Sequence, residues 1–324
     1  MTTTKITSDF DFLAGRWDVE HHRLVKPLTG SDEWDVFGGS STVARTYFDG
    51  SISIDEITLP ERGFSGLSLR LFSPRTRDWT IYWVNSRDGI LQPPVRGRWE
   101  DGVSRLRGDE ELYDGQRVHV TYEWSDVTDT TARWQQAFSA DGGRTWETNW
   151  VMNFTRTSSE PDDRPEDVAH LPKVTGDFDF LTGHWTIRNK RLKERLTGCD
   201  EWEEFENTLV GRTHFNGGIS VDDCTFPTRG FQGMSFRTYD VATREWSIHW
   251  IDSRNVKLGT PVRGGFENGV GEFYGDDEHE GTPVRVRFLW KVLSRGTAHG
   301  EQAFSTNNGQ TWETNWLMEE TRTA

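Results

Sequence analysis

The chain has 324 residues, a formal net charge of -15 and a sequence pI near 5.1. An excess of carboxylates on this scale excludes partners held by charge alone on phosphate, namely nucleic acid and anionic membrane. No apolar run approaches the roughly 20 residues of a membrane span, and no basic-then-apolar leader precedes Ser8, so a soluble, cytoplasmic protein of about two domains is expected.

The chain opens its first recognisable element with Asp9-Phe-Asp-Phe-Leu-Ala-Gly-Arg-Trp17, and the motif returns as Asp177-Phe-Asp-Phe-Leu-Thr-Gly-His-Trp185. Leu28-Thr-Gly-Ser-Asp-Glu-Trp34 is answered by Leu196-Thr-Gly-Cys-Asp-Glu-Trp202. Further along, Pro94-Val-Arg-Gly97 recurs as Pro261-Val-Arg-Gly264, Gln136-Ala-Phe-Ser139 as Gln302-Ala-Phe-Ser305, and Thr145-Trp-Glu-Thr-Asn-Trp150 as Thr311-Trp-Glu-Thr-Asn-Trp316. Residues 8–157 therefore overlay 176–323, a tandem duplication of units of about 150 residues. The expected organisation is a first unit at 1–157, a polar, proline-bearing linker at 158–175 and a second unit at 176–324. Cys199 and Cys224 lie opposite Ser31 and Ile57, so the copies share no disulfide framework.

Alternation of period two runs through both copies. In the first it puts Trp79, Ile81, Trp83, Asn85 and Arg87 on one strand face, and in the second Trp246, Ile248, Trp250, Asp252 and Arg254. Val118, Val120, Tyr122 and Trp124 form a later face, mirrored by Val284, Val286, Phe288 and Trp290. Asp-Gly pairs at 49–50, 101–102, 114–115 and 141–142 mark turns between short strands. No stretch of ten residues carries a helical period. The class is all-β. Short antiparallel strands with one apolar face must close to protect their edges, and 150 residues suit a barrel of eight to ten strands.

Gly15-Arg-Trp17 and Gly183-His-Trp185 resemble the Gly-x-Trp that opens the first strand of lipocalins and related calycins. In that superfamily an arginine of the last strand packs across this tryptophan and closes the barrel base. Arg156 and Arg322 stand at the matching ends of the two copies. The whole pattern also resembles a bacterial family of lipocalin-like proteins without an established general function. The resemblance implies two tandem lipocalin-like antiparallel β-barrels. The two barrels are expected to pack on each other as a pseudo-dimer. It leaves activity open, because calycins include lipid carriers, haem-binding barrels and cofactor-free enzymes.

Ser139-Ala-Asp-Gly-Gly-Arg-Thr-Trp146 fits the Asp-box of sialidase propellers. Only one such box stands in each copy, the second with Asn307 for the aspartate, whereas a propeller repeats its motif every 40–50 residues or so. It is read as a hairpin turn. No metal-ligand spacing, phosphate-cradling glycine motif or Ser-His-Asp set occurs, and none of the nine histidines faces another histidine across the duplication, so neither metal nor cofactor is expected.

What both copies keep is polar residues on faces that otherwise read as internal. Trp83, Arg87 and Gln136 in the first copy, and Trp250 and Gln302 in the second, are the candidate ligand-binding residues. The alternative for the arginines is a structural bridge between strands. Matched carboxylates such as Asp55/Asp222 and Glu147/Glu313 read as solvated or turn-capping groups. Asp252 differs: it replaces Asn85, and burial beside Trp250 would raise its pKa while Arg254 would lower it. Asp252 and Arg254 are therefore the candidate catalytic pair. Two readings follow. One is an enzyme that cyclises, isomerises or hydrates a hydrophobic or aromatic metabolite without a cofactor; the other is a non-catalytic barrel for a lipid, an aromatic metabolite or haem.

Overall fold

Antiparallel pairing of every strand with its sequence neighbours defines both halves of the computed structural model, which describes residues 6–160 and 170–323. The first half comprises β1 (Gly15–Leu24), β2 (Trp34–Tyr47), β3 (Ile52–Leu59), β4 (Phe64–Ser73), β5 (Asp78–Asn85), β6 (Val95–Glu100), β7 (Val103–Tyr113), β8 (Gln116–Ser125), β9 (Thr131–Ser139) and β10 (Glu147–Ser158). β10 pairs back with β1, giving a closed up-and-down barrel of ten strands with no free edge. The second half repeats it with β11 (Gly183–Leu192), β12 (Trp202–His214), β13 (Ile219–Phe226), β14 (Phe231–Asp240), β15 (Glu245–Asp252), β16 (Val262–Glu267), β17 (Val270–His279), β18 (Thr282–Ser294), β19 (Thr297–Ser305) and β20 (Glu313–Arg322). The all-β class and the two barrels agree with the sequence. Of the linker expected at 158–175, residues 161–169 lie outside the described residues. No helix among the described residues is long and apolar enough to cross a membrane. Both cysteines are free.

Turn chemistry explains the short connections. Asp101-Gly102 and Asp114-Gly115 both take positive φ at each residue, the conformation that two-residue hairpins require. Asp141 ties its own turn, accepting from Ser139 Oγ and Thr145 Oγ1 at 2.8 Å and from the Arg144 and Thr145 amides at 3.0 Å. Asn307 takes the same place in the second copy, accepting from Ser305 Oγ and the Thr311 amide at 2.9 Å. The Asp-box is thus a hairpin, as read. Glu147 and Glu313 also cap a turn, accepting from the amides of Leu28 at 2.6 Å and Leu196 at 2.9 Å.

The Asp-Phe-Asp-Phe-Leu motif forms the floor of each barrel. Its one-turn 3₁₀ helix (Asp11–Leu13) carries Phe10 inward, where its ring lies edge-on to Trp79 at 4.7 Å and Trp99 at 5.5 Å. Asp9 accepts from Trp79 Nε1 at 2.9 Å, and the Leu13 carbonyl accepts from Trp17 Nε1 at 2.9 Å. Gly15 is required where it stands, with φ of 112° and the Ser158 carbonyl only 2.3 Å from a would-be Cβ. The second copy reproduces the set at Phe178, Trp246, Asp177 and Trp185.

Arg156 pairs with Trp17 across β1 and β10, its guanidinium 4.1 Å from the indole centroid. It also donates to the carbonyls of Ala14, Phe12 and Asp129. Arg322 does the same over Trp185 at 4.6 Å, donating to Thr182, Phe180 and Arg295. Cation–π contact contributes roughly 0.5–2 kcal/mol and hydrogen bonds from a charged donor roughly 1.5–3 kcal/mol. Arg156→Ala is therefore expected to destabilise by about 2–4 kcal/mol, seen as a lowered melting temperature with the β circular-dichroism spectrum retained. Arg156→Lys should recover only part of the loss, because an ammonium cannot span three carbonyls. An unchanged melting temperature for the alanine variant would remove the clamp from the account of closure.

Candidate functional site

Above this floor the first barrel encloses a cavity of about 320 Å³, at the small end of the range for small-molecule sites. Its walls are inward faces of the strands, with Trp83, Trp124, Trp134, Trp150, Phe138 and Phe154 giving most of the aromatic surface. Trp83 leans along the sheet over Gly66, where a Cβ would sit 1.9 Å from the indole. Gly233 makes the same room for Trp250 in the second copy, at 2.2 Å.

A polar layer divides this wall from the floor. Asp55 on β3 and Arg70 on β4 form an ion pair, 7% and 3% exposed. The Arg70 guanidinium also lies 5.0 Å from the Phe10 ring of the floor. Ser68 and Thr42 complete the layer. Arg70 Nε and Thr42 Oγ1 are buried with no hydrogen-bond partner, so two polar atoms at the bottom of an aromatic cavity have unused bonding capacity. Higher up, Gln136 Nε2 donates to Asn149 Oδ1 at 2.8 Å. Trp150 Nε1 donates to His21 Nδ1 at 3.0 Å, and the imidazole stacks on Phe37 at 4.5 Å. Burial, aided by Arg23 and Arg62, lowers the His21 pKa to about 4, so it is a neutral acceptor. Burial likewise raises the Tyr122 and Glu111 pKa values.

The second copy keeps the ion pair and changes its surroundings. Arg237 Nη1 lies 2.5 Å from Asp222 Oδ2, both groups 1–2% exposed. Asp222 Oδ1 accepts from the Ser235 amide at 3.3 Å and from the Cys224 thiol at 3.5 Å. Glu320 stands where the first copy has Phe154. It is 2% exposed and neither carboxyl oxygen has a hydrogen-bond partner. Burial, reinforced by Asp222 and opposed by Arg237, raises its pKa well above the ordinary value.

Of the residues read from sequence, Trp83, Arg87 and Gln136 line one cavity. The second-copy residues meet in a different way. Gln302 Nε2 is engaged with Asn315 Oδ1 at 3.0 Å, and Trp250 is 38% exposed. Asp252 is gripped by its neighbour but one: its Oδ1 accepts from both the amide and Nε of Arg254 at 2.8 Å, and its Oδ2 from Nη2. Desolvation pushes the Asp252 pKa up, but the Arg254 hydrogen bonds and charge outweigh it and the net shift is downward. Asp55 and Asp222 correct the sequence reading. They are buried strand residues paired with arginine, because the register turns them toward the barrel interior rather than into a turn. Arg70, Ser68 and Thr42 were not singled out from sequence. The retention of Arg70 and Ser68 as Arg237 and Ser235 was the available signal.

No family model and no curated protein matches the chain. Among solved structures it is similar to a protein of unknown function from the DUF3598 family of Nostoc punctiforme, at 10% identity over 99% of this chain and 100% of that one, with a TM-score of 0.28. It is also similar to a tryptophan-to-alanine mutant of the vaccine antigen transferrin binding protein B from Haemophilus parasuis, at 7% identity over 96% of this chain and 76% of that one, with a TM-score of 0.21. Superpositions this weak assign no function.

The Glu320 carboxyl makes stability depend on pH. Above the ordinary carboxyl pKa the unfolded chain has released a proton that the folded chain still holds. The unfolded state then binds fewer protons, so stability falls as pH rises toward the folded value. Glu320→Gln should raise the melting temperature of the full chain clearly at about pH 8 and little at about pH 5. Equal increments at the two pH values would show that Glu320 is not held protonated.

Proposed function

We propose that the first barrel binds a small, largely aromatic molecule. The observation that carries this reading is the cavity itself: tryptophan walls, a closed floor, and at the bottom a buried Arg70–Asp55 pair with Arg70 Nε and Thr42 Oγ1 unpartnered. Aromatic walls supply contact area with little loss of side-chain freedom, and a few fixed polar atoms orient the guest. The Gly-x-Trp and terminal arginine of each copy, found clamped at the base, support kinship with calycins, whose interiors hold such guests.

Binding without chemistry is the reading favoured here over a cyclase, isomerase or hydratase. The catalytic version places proton transfer on Asp252, and a carboxylate whose pKa is lowered by a bidentate arginine is a poor base near neutral pH. Calorimetric titration of the full chain with naphthamide, an uncharged bicyclic probe, should show saturable binding at one site. Ser68→Phe, which fills the cavity from β4, should abolish that binding, and Trp250→Phe should leave it intact. The reverse sensitivities would move the site to the second barrel, and the absence of saturable binding would discard the reading.

A further inference from the structure

Three arginines recur at the mouth of each barrel, and the two copies treat their charge differently. In the second copy Arg191 donates to Glu203 Oε1 from Nε at 2.9 Å and Nη2 at 2.7 Å, and Arg229 Nη2 reaches the same oxygen at 2.8 Å. Arg254 is held by Asp252. Each guanidinium there has a carboxylate.

In the first copy Arg62 takes Asp35, the counterpart of Glu203, at 2.7 Å. Asn85 stands in place of Asp252 and accepts only the Arg87 amide, at 3.0 Å. Arg23 and Arg87 therefore have no carboxylate within ion-pair distance among the described residues. Both are instead laid on aromatic rings, Arg23 4.8 Å from the Trp150 centroid and Arg87 4.2 Å from Phe64. Both guanidiniums and both rings line the cavity. Desolvation, with the nearby charges of Arg87 and Arg62, pulls the Arg23 pKa down against the opposing influence of Tyr113 and Asp35. In a chain of net charge -15, two arginines that line one cavity with no carboxylate at ion-pair distance among the described residues are an exception to the general excess of acid. Arg87 Nη2 donates to the Arg62 carbonyl at 2.8 Å; a guanidinium carries five N–H donors, so the rest of its edge, like that of Arg23, can still meet an incoming acceptor.

We propose that the first barrel selects an aromatic carboxylate, its ring among the tryptophans and its carboxylate bridging Arg23 and Arg87 at the mouth. This rests on the binding reading above and adds the charge of the guest. Glu111, the other carboxyl on the cavity wall besides Asp55, has its pKa raised by burial and so opposes an anion less than an exposed carboxylate would.

The test is a paired titration of the full chain with naphthoate and naphthamide, which share a ring system and differ by one charge. Naphthoate should bind at least about ten-fold more tightly at low salt, and added salt should erode only that advantage. Asn85→Asp, which installs the clamp of the second copy on Arg87, and Arg23→Gln should each lower naphthoate affinity by more than naphthamide affinity and so reduce the preference. Equal binding of the two probes, or a preference that survives both substitutions, would overturn the anion assignment and leave the aromatic cavity standing. Failure of both probes to bind would overturn both.

Discussion

Everything inside each unit depends on closing a ten-strand meander on itself. Closure removes the sheet edges, but a ring of ten strands encloses more space than one layer of inward side chains fills. The chain meets this from the bottom upward. The Phe10 floor and the Arg156–Trp17 clamp seal one end, and the hydrogen bonds of the clamp run to main-chain carbonyls, so it fixes the chain path rather than one rotamer. The Asp55–Arg70 pair spans the middle, and what remains above it is cavity.

A buried ion pair is weak evidence for stability, because desolvation cancels much of the attraction. Here the pair has a positional role as well. Arg70 rests against the floor ring and Asp55 lies beside Ser68 across the β3–β4 register. The pair thereby couples the closed end to the cavity wall, and it leaves Arg70 Nε pointing at no partner. In the second barrel the same pair sits beside Glu320, and the buried apolar residues there fall into separate clusters around Trp185 and around Trp246.

The fold was legible because strand alternation and duplication are both local signals, and each was present twice. The floor was visible as a motif, Asp9 to Trp17, without its role, since nothing in spacing says that Asp9 receives Trp79 Nε1 from about 70 residues away. The polar layer was hidden by the alternation itself. Leu67-Ser-Leu-Arg-Leu71 reads with its leucines facing a core, while the register sends Ser68 and Arg70 to the cavity. Asp252 was singled out because it replaces Asn85, yet opposing influences on a pKa have a sign only when distances are known. The Arg254 contacts decide it.

The copies diverge at inward positions above the floor as well as on the outer surface. Thr42, Ile57, Tyr122, Trp134 and Phe154 face Leu209, Cys224, Phe288, Gly300 and Glu320, while in the floor Phe10, Trp17, Trp79 and the clamping Arg156 recur as Phe178, Trp185, Trp246 and Arg322, and Trp99 is replaced by another aromatic, Phe266. Closure tolerates little variation, since each floor group bonds several others; the interior tolerates more. The exchanges are not equivalent in charge. The second barrel adds Glu320 within and Asp252 at its mouth, so its arginines are satisfied by its own chain. The first leaves Arg23 and Arg87 on aromatic rings beside a cavity, with no carboxylate paired to either among the described residues and with the Arg87 guanidinium bonded only to the Arg62 carbonyl. A scaffold retained in duplicate, with one copy leaving two arginines of its mouth without carboxylates among the described residues, is the arrangement that the proposed binding in the first barrel alone requires.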